Sequence, residues 1–251
     1  MERDRNIEAR GWELIGLVTA ELPRESEVTS DADAWPMIAA ALTSRITGTM
    51  RSILRLLPDG VETDAGILLR TLYDHAVTLA WLAADPAPTR IRRWRKDDLQ
   101  KRLKVDDDTR NIGEPLLGPH ERQQMEAQVA RITEPSLPPL TVLAEQADSH
   151  WEGQIPGMGL LGEIKSFRGF YSLVFRHNSF FAHASLLGLN PVVEDLSATH
   201  RRVGLEGHYE GTGPYGMATL IFGFVLYVMA DSLGWPERSQ ITEVFERHPT
   251  D

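Results

Sequence analysis

Three side chains on one stretch carry the chemistry that this chain offers most openly: Arg176, Ser179 and His183. Residues 166–187 predict one long helix, because Phe167, Tyr171, Val174 and Phe181 recur at steps of three and four. At about 100° per residue, Arg176, Ser179 and His183 fall opposite that apolar stripe, within roughly 60° of one another. Lys165, Gly169 and Ser172 share their face. Histidine is the usual proton carrier near neutral pH. Arginine is a permanent cation whose planar fork matches a phosphate, or the charge that develops on one. The pair has what metal-independent RNA cleavage needs: an imidazole for the 2′-hydroxyl or leaving-group proton, and a guanidinium for the phosphate. The same spacing also describes an ordinary solvated helix face.

A second candidate is electrostatic. Between residues 90 and 104 stand Arg90, Arg92, Arg93, Arg95, Lys96, Lys101, Arg102 and Lys104, against only Asp97 and Asp98. The chain as a whole is acidic, with 36 Asp and Glu against 26 Lys and Arg and a net charge of −10. Such a balance argues against a protein that coats duplexes, but a local cationic strip suits an anionic partner such as RNA. Arg92, Arg93, Arg95 and Lys96 would meet phosphates, and Trp94 would stack a base. The competing reading packs Ile91, Trp94, Leu99 and Leu103 inward and leaves the cations in water beside nearby acids.

Helical periodicity dominates the elements that must hold these groups. An amphipathic helix is expected over 5–22, a second from Trp35-Pro36 to Pro58, and a third over 61–84. On the third, Arg70 and Asp74 are four apart and can pair along the surface. The basic helix follows Asp85-Pro86 and runs to about Lys104. Residues 105–162 read as an irregular excursion, with short helical patterns near 121–132 and 140–149. A further short helix is expected over 192–202, a loop over 204–216, an apolar helix over 217–233 and a terminal helix over 236–247. No run of period-two strands stands out. The expected fold is all-α: a single helical domain, 1–251, built as a bundle of six to nine helices.

The absence of cysteine excludes disulfides, thiolate metal sites and a thiol nucleophile. His75, His177 and His183 with Asp74 lack the spacing of a metal set, so no metal and no cofactor are expected. The N-terminus is charged from its second residue and lacks the apolar core of a secretory signal. Residues 211–230 carry no charge. Their first six read as loop, however, and what remains is shorter than the roughly 20 apolar residues a membrane span needs. A buried core helix and a cytoplasmic location are the expectations.

The run RHNSFFAH, Arg176 to His183, resembles the signature of the HEPN superfamily (higher eukaryotes and prokaryotes nucleotide-binding domains). That signature is an arginine, a polar residue directly after it, and a histidine separated from the arginine by four to six residues; Arg176, His177 and His183 match with six intervening. Residues 67–86 also resemble an upstream helix of bacterial proteins of uncharacterised function, with Arg70, Asp74, Trp81 and Pro86 matching. The HEPN likeness implies a helical bundle, often a metal-independent ribonuclease of a toxin–antitoxin or phage-defence system, that dimerises so that two motifs meet. It implies phosphate binding by Arg176 and proton transfer by His183. His177 and Ser179 would orient or polarise, and Arg70 with Asp74 would brace the site. Partners implied are RNA, a second copy and an antitoxin or defence protein. Two other readings stay open: a non-catalytic interaction module of the same fold, and a ligand-binding protein with an apolar cavity beside Phe222 and Tyr227.

Overall fold

The helical spacing read along the chain becomes helix in the computed structural model, which describes residues 2–21, 34–59, 61–151, 153–155, 166–176, 178–179, 193–195, 201–203 and 213–248. Among these residues stand nine α-helices: α1 (Glu2–Glu21), α2 (Trp35–Leu56), α3 (Glu62–Ala84), α4 (Pro88–Arg110), α5 (Pro119–Arg131), α6 (Leu140–Trp151), α7 (Phe167–Phe170), α8 (Gly213–Leu233) and α9 (Arg238–Arg247). A π-helical turn, Tyr171–Arg176, continues α7 directly. The fold is all-α. Its one departure among the described residues is a two-stranded antiparallel ladder, β1 (Val193–Asp195) with β2 (Arg201–Val203), where the spacing predicts a short helix. Its register sets Glu194 opposite Arg202 and Asp195 opposite Arg201. The expected connector 25–33 and the break at Asn190-Pro191 lie outside the described residues.

The chain divides into two compact units where the sequence suggests one domain. The larger takes Met1–Ser26, Pro36–Ala84 and Leu140–Asp251; the smaller takes Glu27–Trp35 and Asp85–Pro139. The stretch expected as an irregular excursion, 105–162, is divided between them: its part up to Pro139 falls in the smaller unit, and from Leu140 on, with α6, in the larger.

In the larger unit, α3 and α8 pack along one another, α6 lies against α3, and α1 lies against α8 and α9. Helix α8 is buried without interruption from Ala218 to Met229. It alone among the described helices is long and apolar enough to cross a membrane, and 67% of its most apolar window is buried inside the protein. Burying each Leu, Ile or Phe side chain stabilises by about 1.5–3 kcal/mol, so this helix is an anchor of the core. It starts four residues before the expected 217 because Pro214 falls in the first turn, where its missing N–H costs nothing. Phe222 and Tyr227 are buried, and the Tyr227 hydroxyl lies 3.0 Å from the Thr242 hydroxyl of α9. Two glycines allow close approach: a side chain at Gly11 would strike Leu54, and one at Gly223 would strike the Phe245 ring.

In the smaller unit, α4 runs six residues beyond the expected end, through Asp106-Asp107-Asp108. The run does not break the helix because Asp106, fully buried, is answered on every side. Its carboxylate accepts from Arg110 at 2.6 Å, from Arg122 of α5 at 2.8 Å and from the Leu117 N–H at 2.8 Å. Burial alone would raise its pKa, but these three donors hold it well below the usual carboxylate range. Gly113, at φ +86°, ends α4 in the left-handed region that favours glycine and turns the chain back toward α5.

Candidate functional site

The expected site lies on α7 and the turn after it, and three helices fix where that segment begins. The Ser166 hydroxyl caps α7 by accepting from the Gly169 N–H at 2.9 Å. Asp148 of α6 accepts from the N–H groups of Phe167 and Arg168 at 2.7 and 2.8 Å. Glu145 of α6 pairs with Arg168 at 2.9 Å. The phenol of Tyr73 on α3 donates to the Phe167 carbonyl at 2.6 Å. Burial, then the charge of Asp148, pushes that phenol up in pKa, so it stays a donor. Phe167 and Phe170 are fully buried and meet Phe224 of α8 at 6.2 and 5.9 Å between ring centroids.

The segment then leaves α-helical geometry. Spacing predicts a continuous α-helix, with Phe167, Tyr171 and Val174 on its inner stripe. The structure buries Phe167, Phe170 and Val174, and leaves Tyr171 half-buried. The cause is the π turn, whose i→i+5 bonding rotates each residue less than an α-helix does. Tyr171 therefore swings sideways and stacks on Phe175, with centroids 5.2 Å apart and planes 15° from parallel. The Arg168 guanidinium covers the Tyr171 ring at 5.7 Å, and the Arg70 guanidinium covers the Phe175 ring at 4.6 Å. Four side chains thus form a column: Arg168, Tyr171, Phe175, Arg70.

Arg176 ends the π turn, exposed to solvent, and makes no hydrogen bond or ion pair among the described residues. Gly169 and Ser172 are exposed with it, as the face assignment requires. Ser179 is half-buried, and its hydroxyl donates to the Phe175 carbonyl at 2.5 Å, one turn back. Asn178, which the motif reading passes over, is buried and donates from Nδ2 to the Val174 carbonyl at 2.7 Å. His177, His183, Lys165 and Phe181 lie outside the described residues. On α3, Arg70 and Asp74 do not pair with each other among the described residues; Arg70 turns to Phe175 instead, and Asp74 is exposed. Trp81 is buried, and its indole N–H donates to Gln146 of α6 at 2.7 Å. Burial pushes the His75 imidazole down in pKa, with Asp74 opposing and Arg45 reinforcing. Sequence reasoning missed the column, although an aromatic pair four apart, Tyr171 and Phe175, was its signal.

The basic strip is placed differently, inside the smaller unit. Arg92 pairs with Glu134 at 2.6 Å. Arg93 donates to the carbonyls of Pro135 and Ser136, and Arg95 to the Gln128 side chain. Lys96 donates to the carbonyls of Ile132 and Glu134 at 2.9 and 2.8 Å. Lys101 and Arg102 pair with Asp97 and Asp98 one turn earlier. Trp94 is half-buried, while Ile91 and Leu99 are buried. Arg92, Arg93, Arg95 and Lys96 thus fasten α4 to α5 and to the segment after it, while Lys101 and Arg102 pair within α4.

Among the described residues, no three His, Asp or Glu side chains gather as a metal site would need. Compared with known families, residues 37–200 match a family of unknown function, DUF5677. The matched span holds most of α2, all of α3 to α7 and the π turn, and leaves α1, α8 and α9 outside. No curated protein matches the chain, and no solved structure does.

Proposed function

The chain belongs to the DUF5677 family, and we propose that it is a metal-independent endoribonuclease of HEPN-like design. The family match assigns no activity, so the reading rests on the site. The observation that carries it is Arg176: a permanent cation, exposed, unspent among the described residues, and fixed at the end of a π turn. Turns of that kind recur at functional sites. Arg176 holds the scissile phosphate and balances the charge that grows on it. His183, seven residues on, takes the 2′-hydroxyl proton or returns one to the departing 5′-oxygen. The 2′-oxygen forms a bond to phosphorus as the bond to the 5′-oxygen breaks. His177 orients the strand. Ser179 braces the Phe175 backbone, and Arg70 and Asp74 support the turn from α3. The protein works in the cytoplasm as a homodimer in which two motifs meet, within a defence or toxin–antitoxin system.

The test is cleavage of mixed RNAs by the purified protein, without added metal, beside His183→Ala. The wild type cuts and the variant does not. Equal cleavage by both, or none by either, overturns the reading. A helical interaction module is the second reading. It is favoured by Leu173, 49% exposed on the same turn as Arg176, and it predicts no cleavage by any variant.

A further inference from the structure

We propose that Arg70 of α3 is a second phosphate ligand, so that the column beside the π turn is a track for single-stranded RNA. The inference rests on the reading that Arg176 meets phosphate, and it adds a residue so far cast only as a brace.

Arg70 is half-buried, and its guanidinium lies over the Phe175 ring at 4.6 Å. Asp74, one turn away, does not take it, and among the described residues nothing else accepts from its N–H groups. A guanidinium that rests over a ring does not spend its N–H donors on it. Its planar fork matches two phosphate oxygens. The ring beneath it belongs to Phe175, the residue immediately before Arg176 at the end of the π turn. Further contacts line up behind the ring. Tyr171 stacks on it at 5.2 Å, Arg168 covers Tyr171, and Glu145 of α6 pairs with Arg168. Helix α3 packs against the π turn along this line.

The composition of the column points to the form of the ligand. The column is a pair of stacked rings with a cation on each, Arg168 on Tyr171 and Arg70 on Phe175, so it offers a strand phosphate contact and not a ring face on which to stack a base. A rigid duplex needs a wide cationic face, and a chain of net charge −10 does not offer one.

The experiment uses the full chain and a short, fluorescent, 2′-O-methyl RNA strand, which binds without being cut. Affinity is measured across a salt series. Removing one phosphate-binding cation flattens the plot of log affinity against log salt by about 0.7 for a single strand. Arg70→Gln and Arg176→Gln each flatten it by that amount, the double variant by about twice as much, and Arg70→Lys restores it. Arg102→Gln, on α4, leaves it unchanged. An unchanged slope in Arg70→Gln beside a flattened one in Arg176→Gln overturns the proposal. So does equal binding of a mononucleotide, which would mark a small-anion site. Cleavage of unmodified RNA is read separately: a protein that binds through Arg70 and cuts nothing keeps this inference and loses the catalytic one.

Discussion

Two parts of this protein present arginine, and they use it in opposite ways. On α4 the cations are dense, yet they are engaged within their own unit: Arg92 on Glu134, Arg93 and Lys96 on backbone carbonyls, Lys101 and Arg102 on the acids one turn back. On α3 and the π turn the cations are few, yet Arg70 and Arg176 keep their donors unspent among the described residues. Charge density in a sequence is therefore not the same as available charge, which depends on partners that arrive from elsewhere in the fold.

The largest effect that would separate the two regions comes from Asp106. If α4 is structural, replacing its buried carboxylate takes from Arg110 its ion-pair partner and cuts the buried tie from α4 to Arg122, which keeps only Asp107 and Glu126. Asp106→Asn is expected to make the smaller unit melt well before the larger one in a thermal scan followed by hydrogen exchange. Coincident melting of the two units in the variant would contradict it. The same carboxylate gives a pH test. Its folded pKa lies below the ordinary value of 3.8, so the stability it contributes is present above about pH 4 and lost as the pH falls below that. The smaller unit should open first on acidification, and in Asp106→Asn this sensitivity should be blunted.

The next effect concerns the other region. Tyr73→Phe strands the Phe167 carbonyl at the mouth of the π turn, at a cost of about 1–3 kcal/mol in urea unfolding. It should also weaken RNA binding, because the turn that carries Arg176 is then held less firmly. An unfolding midpoint equal to wild type would show that the phenol does not anchor the turn. The smallest effect is expected from the double change Arg92→Gln, Arg93→Gln. It removes two cations from the densest patch, yet the salt dependence of RNA binding should stay as in the wild type. A flattened dependence would make α4 an RNA-binding element after all.

Much of the scaffold was legible in the sequence, for a physical reason. Helices α1 to α6, α8 and α9 announce themselves because burying one face of a helix imposes a three-and-four spacing. What escaped lacks such a signature. Strands of three residues, Val193–Asp195 and Arg201–Val203, are too short to show alternation. A π turn has no spacing rule of its own, so the outward swing of Tyr171 could not be foreseen. The face shared by Gly169, Ser172 and Arg176 was legible, because it needs only a rough helical angle. The partners of Arg92 and Lys96 were not, since they arrive about forty positions later and are mostly backbone carbonyls. Asp106 fell in the stretch read as irregular for the same reason: the Leu117 N–H and Arg122, which hold its carboxylate, come 11 and 16 residues later.

One side-by-side measurement bears most directly on the claim that an unspent arginine, and not a dense patch of them, handles phosphate: the initial rate of cleavage of one unmodified RNA by the wild type, by Arg176→Ala and by Arg92→Gln, Arg93→Gln. The account predicts a fall of about 10²–10³-fold for Arg176→Ala, with its melting temperature unchanged, and no loss of rate for the α4 double variant. The reverse order, with Arg176→Ala as active as the wild type and the α4 variant inactive, would contradict it.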